Sequence, residues 1–287
     1  MTPARRLATS AARRGSRSAS TSAAPKTREG PNFKTVIPHQ AKGPANFLVT
    51  CEHAANGLPA EIAWGAADES RGLSTQHWAY DPGALDLAVE LADALQAPLV
   101  HSLYSRLFVD VNRPVSSSTL ARTLCDQQAV ELNRDVQVSP QALEERIRRY
   151  YLPYHGEIER VAQETGAKTA ISVHTFTPNY EGSVRDFEIG VLYSTSNQTL
   201  VEMMTDAFNA SGFSAKVNEP WSGRHGFMFS VDCFTYNASP PGTRDAIMLE
   251  IRNDKCQDAA WRARFLEAML PFLTKAEEKG SAPSPRL

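Results

Sequence analysis

Short β-rich runs alternate along this chain with segments of helical apolar spacing, and that alternation restricts the fold more than any other feature. The runs are Phe47–Cys51, 98–103, 107–111, 169–173, 187–193 and 246–251. Helical patterns fall at 84–95, from Ser139-Pro140 towards Tyr151, onward to Glu164, at 197–209 and at 258–277. Such alternation argues for an α/β domain with three αβα layers around a central sheet. Local signals agree. Pro82 suits the first turn of the helix at 84–95, Ser139 and Pro140 open the next, and Gly166 and Gly212 stop two others. Pro153 is expected to end or kink the helix it falls in. Residues 223–241, with Gly, Pro, Asn and aromatics, read as loop.

The first 34 residues break this pattern. Arg5, Arg6, Arg13, Arg14, Arg17, Lys26 and Arg28 all precede the first acid, Glu29. Without an apolar core for a secretory signal, this is the composition of a transit peptide, most simply mitochondrial, or of a disordered basic tail. The first reading places the protein in the mitochondrion and the second in the cytoplasm. Either one leaves residues 35–279 as a single domain and 280–287 as a flexible Pro/Ser-rich tail. The net charge of −2 gives no electrostatic case for nucleic acid or a membrane surface as partner. No apolar run approaches the roughly 18–20 residues that span a bilayer. The four cysteines are scattered, with no CxxC spacing, and read as reduced thiols of a non-secretory compartment.

Chemistry gathers where the runs end. His53, Asp81 and His174 lie at or after strand ends, and two histidines with one carboxylate are the donor types a catalytic zinc takes. Each has a plainer alternative: a backbone-bonded strand-end histidine, or a turn at Asp81-Pro82-Gly83 whose Asp caps the following helix. Glu52 and His77 are substitutes in the ligand set. The run Tyr104-Ser105-Arg106-Leu107-Phe108-Val109-Asp110-Val111-Asn112-Arg113-Pro114 sets two arginines in an apolar stretch. They suit carboxylate recognition, or an internal salt bridge from Asp110 to Arg106 or Arg113. Arg185, Arg224 and Arg252 are further candidates for an anionic substrate. Glu250, inside the apolar run Ile247-Met248-Leu249-Glu250-Ile251, either pairs with a cation such as Arg252 or faces a polar site as a general base.

Taken together, these blocks resemble the N-formylglutamate amidohydrolase family. The matching pieces are Val49-Thr50-Cys51-Glu52-His53-Ala54-Ala55-Asn56-Gly57, His77-Trp78-Ala79-Tyr80-Asp81-Pro82-Gly83, the Tyr104 to Pro114 run, Ile171-Ser172-Val173-His174-Thr175-Phe176 and Ile247-Met248-Leu249-Glu250-Ile251-Arg252-Asn253-Asp254. The resemblance implies a mixed central sheet like that of zinc-dependent exopeptidases and amidases. It implies one zinc ion per chain on His53, Asp81 and His174, with Glu250 as general base. Arg106 and Arg113, then Arg185 and Arg252, are expected to bind substrate. The implied reaction is hydrolysis of an N-acyl amide, N-formyl-L-glutamate in characterised members, so the expected partner is a small N-acyl amino acid. The opening Cys-Glu-His-Ala-Ala-Asn departs from the Pro-His-Ser-Gly type of the formylglutamate branch, so reaction class carries over better than substrate identity. Two alternatives share some of these features: a carboxypeptidase-like or peptidoglycan/poly-glutamate amidase with a long cleft, and a metal- or ligand-binding protein without catalysis. Oligomeric state is left open.

Overall fold

The computed structural model describes residues 25–38, 46–180, 182–194 and 198–278. Eight strands form its central sheet: β1 (Lys26–Gly30), β2 (Phe33–Ile37), β3 (Phe47–Cys51), β4 (Leu99–His101), β5 (Thr169–Phe176), β6 (Ile189–Leu192), β7 (Ala215–Val217) and β8 (Asp245–Arg252). Their spatial order is β1-β2-β4-β3-β5-β8-β6-β7. The four central strands, β4, β3, β5 and β8, are mutually parallel, while β2 and β6 flank them antiparallel. The sheet is therefore mixed.

Because side chains alternate across a strand, a sheet covered on both sides needs apolar residues at nearly every position. Val49, Cys51, Ile171, Val173, Ile247, Leu249 and Ile251 face one layer, formed by α1 (Ala84–Leu95), α3 (Gln198–Ala210) and α5 (Ala259–Glu278). Leu48, Ala170, Ala246 and Met248 face the other, formed by α2 (Leu152–Thr165), α4 (Phe229–Tyr236) and residues from the long connection after β4. The three-layer α/β expectation holds. Among the described residues no helix is long and apolar enough to cross a membrane.

Four local differences from the sequence reading bear on the site. Residues 107–111 are not a strand. Phe108 N donates to Ser105 O (2.9 Å) and Arg113 N to Asp110 O (3.2 Å), so the segment is a chain of turns. Strand β5 runs on to Phe176, which puts His174 inside it. Residues 223–241 contain α4, whose Ser230 reaches the site. At Pro153 the chain stays helical. A π-helical turn over Ile147–Tyr151 precedes it, and Pro153 sits in the first turn of α2, where no amide is needed.

The fold also begins earlier than residue 35. Strand β1 pairs with β2, and β2 with β4, from Lys26 onward. The basic stretch up to residue 24 and the tail 280–287 lie outside the described residues. Asn32, in the turn between β1 and β2, is buried, and its Oδ1 accepts from Leu103 N (3.3 Å) and Tyr104 N (3.0 Å). Those amides open the loop that carries Arg106 and Asp110. Asn32→Ala is expected to cost about 1–3 kcal/mol by leaving them unsatisfied, measured as a lower urea midpoint with unchanged slope.

Candidate metal centre and its cavity

In an open α/β sheet, ligands gather outside the carboxyl ends of the parallel strands. Here β3, β5 and β8 deliver Glu52 and His53, His174 and Glu250 to that edge. Parallel pairing sets Glu250 directly beside His174, so the two side chains leave the sheet on the same face. The next strand contributes Gly190 opposite Glu250. A Cβ there would stand 1.8 Å from the Glu219 carbonyl oxygen, so only glycine lets that backbone close over the site. Asp81 comes from the turn before α1. Its amide donates to His53 O (2.9 Å), which ties the two loops together. Gly83 then takes φ +83, and a Cβ on it would lie 2.9 Å from the Cys256 carbonyl carbon.

This scaffold brings together His53, Asp81 and His174, each offering a ligand atom within 4.8 Å of the others, all buried. Asp81 Oδ2 lies 2.9 Å from His174 Nδ1 and 3.3 Å from His53 Nδ1. The outward nitrogens are equally committed: His174 Nε2 is 2.9 Å from Glu52 Oε2, and His53 Nε2 is 2.8 Å from Asp110 Oδ1. A carboxylate behind each imidazole fixes the tautomer that presents Nδ1 inward and raises its basicity, as around metal-ligating histidines. The donor set and its supports fit a divalent metal ion.

The supports are themselves held. Glu52 accepts from Ser172 Oγ (2.6 Å) and Ser230 Oγ (2.8 Å). Asp110 accepts from Asn112 N (2.9 Å) and, through Oδ2, from Arg106 Nη2 (3.0 Å). Arg106 Nη1 also stands 3.5 Å from Asp81 Oδ1. Burial alone would raise all three acids. The imidazoles and Arg106 outweigh it and hold Asp81 and Asp110 below the usual carboxylate range, with Glu52 down at about 2. Burial likewise opposes a charged His174, but its bonds to Asp81 and Glu52 push it up to about 10.

Glu250 stands apart from this network. It is buried, and its Oε2 has no hydrogen-bond partner. Burial lifts its pKa to about 7, with His174 opposing and Asp81 adding to the rise. Glu250 and the metal-type triad line one cavity of about 240 Å³, together with Arg106, Arg113, Arg122, Arg185, His77, Asn112 and the rings of Trp78, Tyr180, Trp221 and Phe227. Arg185 lies over Trp221 (4.6 Å) and Tyr180 (4.8 Å).

The sequence reading thus finds His53, Asp81, His174 and Glu250 in one place, with Arg106, Arg113 and Arg185 around them. Arg252 is not among the residues that line the cavity. The chain turns into a short helix at Asn253–Cys256, and Asp254 takes the Arg252 guanidinium at 2.8 and 3.2 Å, away from the cavity wall. Of the substitutes weighed for the ligand set, Glu52 buttresses His174 and His77 lines the cavity. Arg122 and Ser230 went unnoticed. Arg122 lies in an irregular stretch and Ser230 in a helix hidden among turn-forming residues, so spacing gives no signal for either.

Fold and side chains define an α/β protein with a metal-type centre at the carboxyl edge of its sheet. Its family follows from comparison: the N-formylglutamate amidohydrolase model matches residues 45–256, and the chain belongs to that family. The N-formylglutamate deformylase of Pseudomonas putida is 25% identical over 206 residues, covering 65% of this chain and 74% of the relative. That of Pseudomonas aeruginosa is 27% identical over 203 residues, covering 64% and 74%. A gene product of Agrobacterium tumefaciens has a similar structure, with TM-score 0.72 and 26% identity over 86% of this chain and 96% of that one. N-formylglutamate amidohydrolase from Ralstonia eutropha JMP134 shares the fold, with TM-score 0.61 and 17% identity over 86% and 98%.

Two outcomes are expected. Glu52→Gln and Asp110→Asn remove no ligand atom, yet should weaken metal affinity about 10–100-fold, read by competition with a chelating dye. The bonds to Asp81 and Glu52 favour the protonated form of His174, and a metal must displace that proton. Affinity should therefore rise with pH through the neutral range, with proton release visible by calorimetry in buffers of different ionisation enthalpy.

Proposed function

We propose that the chain is a zinc-dependent hydrolase of the amide bond in small N-acyl acidic amino acids, with N-formyl-L-glutamate the first candidate. The observation that carries this reading is the convergence of His53, Asp81 and His174 beside a Glu250 carboxylate whose Oε2 has no hydrogen-bond partner, in an arginine-lined cavity. The names of the Pseudomonas relatives support the substrate. Zinc held by the three side chains would supply Lewis acidity, activating water and polarising the acyl carbonyl.

The chain's own residues do the rest. Glu250 accepts a proton from the attacking water and delivers it to the departing amine nitrogen. Its raised pKa suits that exchange, because a carboxyl near neutrality both takes and returns a proton readily. Arg113 and Arg185 hold substrate carboxylates with guanidinium groups laid on aromatic faces. Arg106 faces the same cavity, but Asp110 and Asp81 already engage its charge, so its part is to orient the centre. A compact cavity walled by Trp78, Tyr180, Trp221 and Phe227 suits a small substrate. A polymeric amide would need an open-ended cleft.

Zinc-loaded protein is expected to release formate from N-formyl-L-glutamate. Glu250→Gln should abolish turnover while metal content stays near one ion per chain, and substantial residual activity would remove Glu250 from the base role. The acid limb of the kcat/KM profile should fall at or below about pH 7. Burial holds Glu250 up to that value, a neighbouring cation pulls it down, and only the ionised form accepts a proton.

A further inference from the structure

Arg106 has Asp81 and Asp110 as partners, but Arg113 and Arg122 have no carboxylate at ion-pair distance among the described residues. Both line the cavity. Each is held from behind. The Arg113 guanidinium lies 4.7 Å from the Phe227 ring centroid and donates to Asn112 O (3.3 Å). That of Arg122 lies 5.3 Å from the Trp78 ring, and Trp78 Nε1 donates to Asp126 Oδ2 (2.9 Å). The Arg122 backbone is equally fixed: its carbonyl accepts from Nδ2 of the buried Asn133 (2.7 Å), whose Oδ1 accepts from the buried Arg146 (2.5 Å).

The two cations stand close enough for the Arg122 charge to act on Arg113. Burial, with the charges of Arg106 and Arg122 adding to it, pulls the Arg113 pKa down against the attraction of Asp110. Like charges assembled on fixed supports in a half-buried wall cost free energy that an anion between them recovers. Aromatic faces cover the guanidinium planes and leave N–H edges for a planar oxyanion. Of the two, Arg113 feels the Glu250 charge, and Arg122 adjoins exposed chain, two residues before Leu124, which is 56% exposed.

We propose that Arg113 and Arg122 together bind one carboxylate of the substrate, the one remote from the scissile amide, and that Arg122 sets the preference for an acidic side chain. This rests on the amide hydrolysis proposed above. Its chemical content is narrower: the ligand carries a second carboxylate, and that carboxylate is read by an arginine outside the sequence blocks that mark the family.

The test compares zinc-loaded wild type, R122M and R122K on N-formyl-L-glutamate and N-formyl-L-glutamine, its isostere with an uncharged side chain, with glutarate and butyrate binding followed by calorimetry. R122M is expected to lower kcat/KM for the dicarboxylate about 10–100-fold, mainly through KM, as loss of a charge-assisted bidentate pair implies. The glutamate-to-glutamine preference should narrow towards one, with R122K restoring part of it and glutarate binding weakened alongside. An unchanged preference in R122M, or an equal loss on both substrates, overturns the proposal. Should wild type hydrolyse neither formyl compound, the proposed reaction falls but the pair is still judged: weaker glutarate binding in R122M upholds it, and equal binding refutes it. R122Q takes the place of R122M if the latter does not fold.

Discussion

The structure turns on one continuous chain of hydrogen bonds: Glu52 to His174, His174 to Asp81, Asp81 to His53, and His53 to Asp110. Acid and imidazole alternate, so every buried carboxylate of the set has an imidazole against it, and Arg106 closes the run against Asp110 and Asp81. Burying isolated ions at these positions would be prohibitive; burying them as a hydrogen-bonded set is not. The set spans strand ends, the turn before α1 and the loop after β4. It can form only when β3, β4 and β5 are in parallel register. Fold and site therefore stand or fall together.

A second constraint keeps the loop after β4 in place. That segment adds no strand to the central sheet and, for strands, holds only a two-residue-per-strand hairpin, Leu124–Cys125 with Gln128–Ala129, yet carries Arg106, Asp110, Asn112, Arg113 and Arg122. The buried Arg146 holds it by donating to Phe108 O (2.8 Å), Leu132 O (3.2 Å) and Asn133 Oδ1 (2.5 Å), with Asp135 Oδ1 as counter-charge at 2.6 Å. One guanidinium thus satisfies carbonyls that a sheet ladder would otherwise take. An irregular loop so braced can present several cations to a cavity without sacrificing their geometry.

Much of this was legible in the sequence, and the reasons are physical. Doubly covered strands must be apolar on both faces, so Phe47–Cys51, β5 and β8 announced themselves, as did α1 with its clean periodicity. Polar residues at the ends of such strands are conspicuous, which is why His53, His174 and Glu250 could be singled out. The 107–111 run misled because its apolar residues are buried by turns and not by pairing, a difference that composition cannot express. Helix α4 was hidden among turn-forming neighbours. Arg252 looked like a cavity residue until the following turn supplied Asp254. Asp110 was readable as a salt-bridge partner of Arg106, but its contact with His53 depends on tertiary approach across 57 positions. The strands β1 and β2 gave little signal because β1 is an edge strand with little burial, β2 is mostly half-buried, and basic residues at 26 and 28 match the segment before them.

The most direct test of this account is an anomalous difference map at the zinc edge from crystals grown with zinc. A single peak is expected, bonded to His53 Nδ1, Asp81 Oδ2 and His174 Nδ1 at roughly 2.0–2.2 Å, with Glu52 and Asp110 on the far nitrogens of the two imidazoles. A peak bonded through Nε2, one that takes Glu52 or Asp110 as a direct ligand, or one at another place in the fold would contradict it.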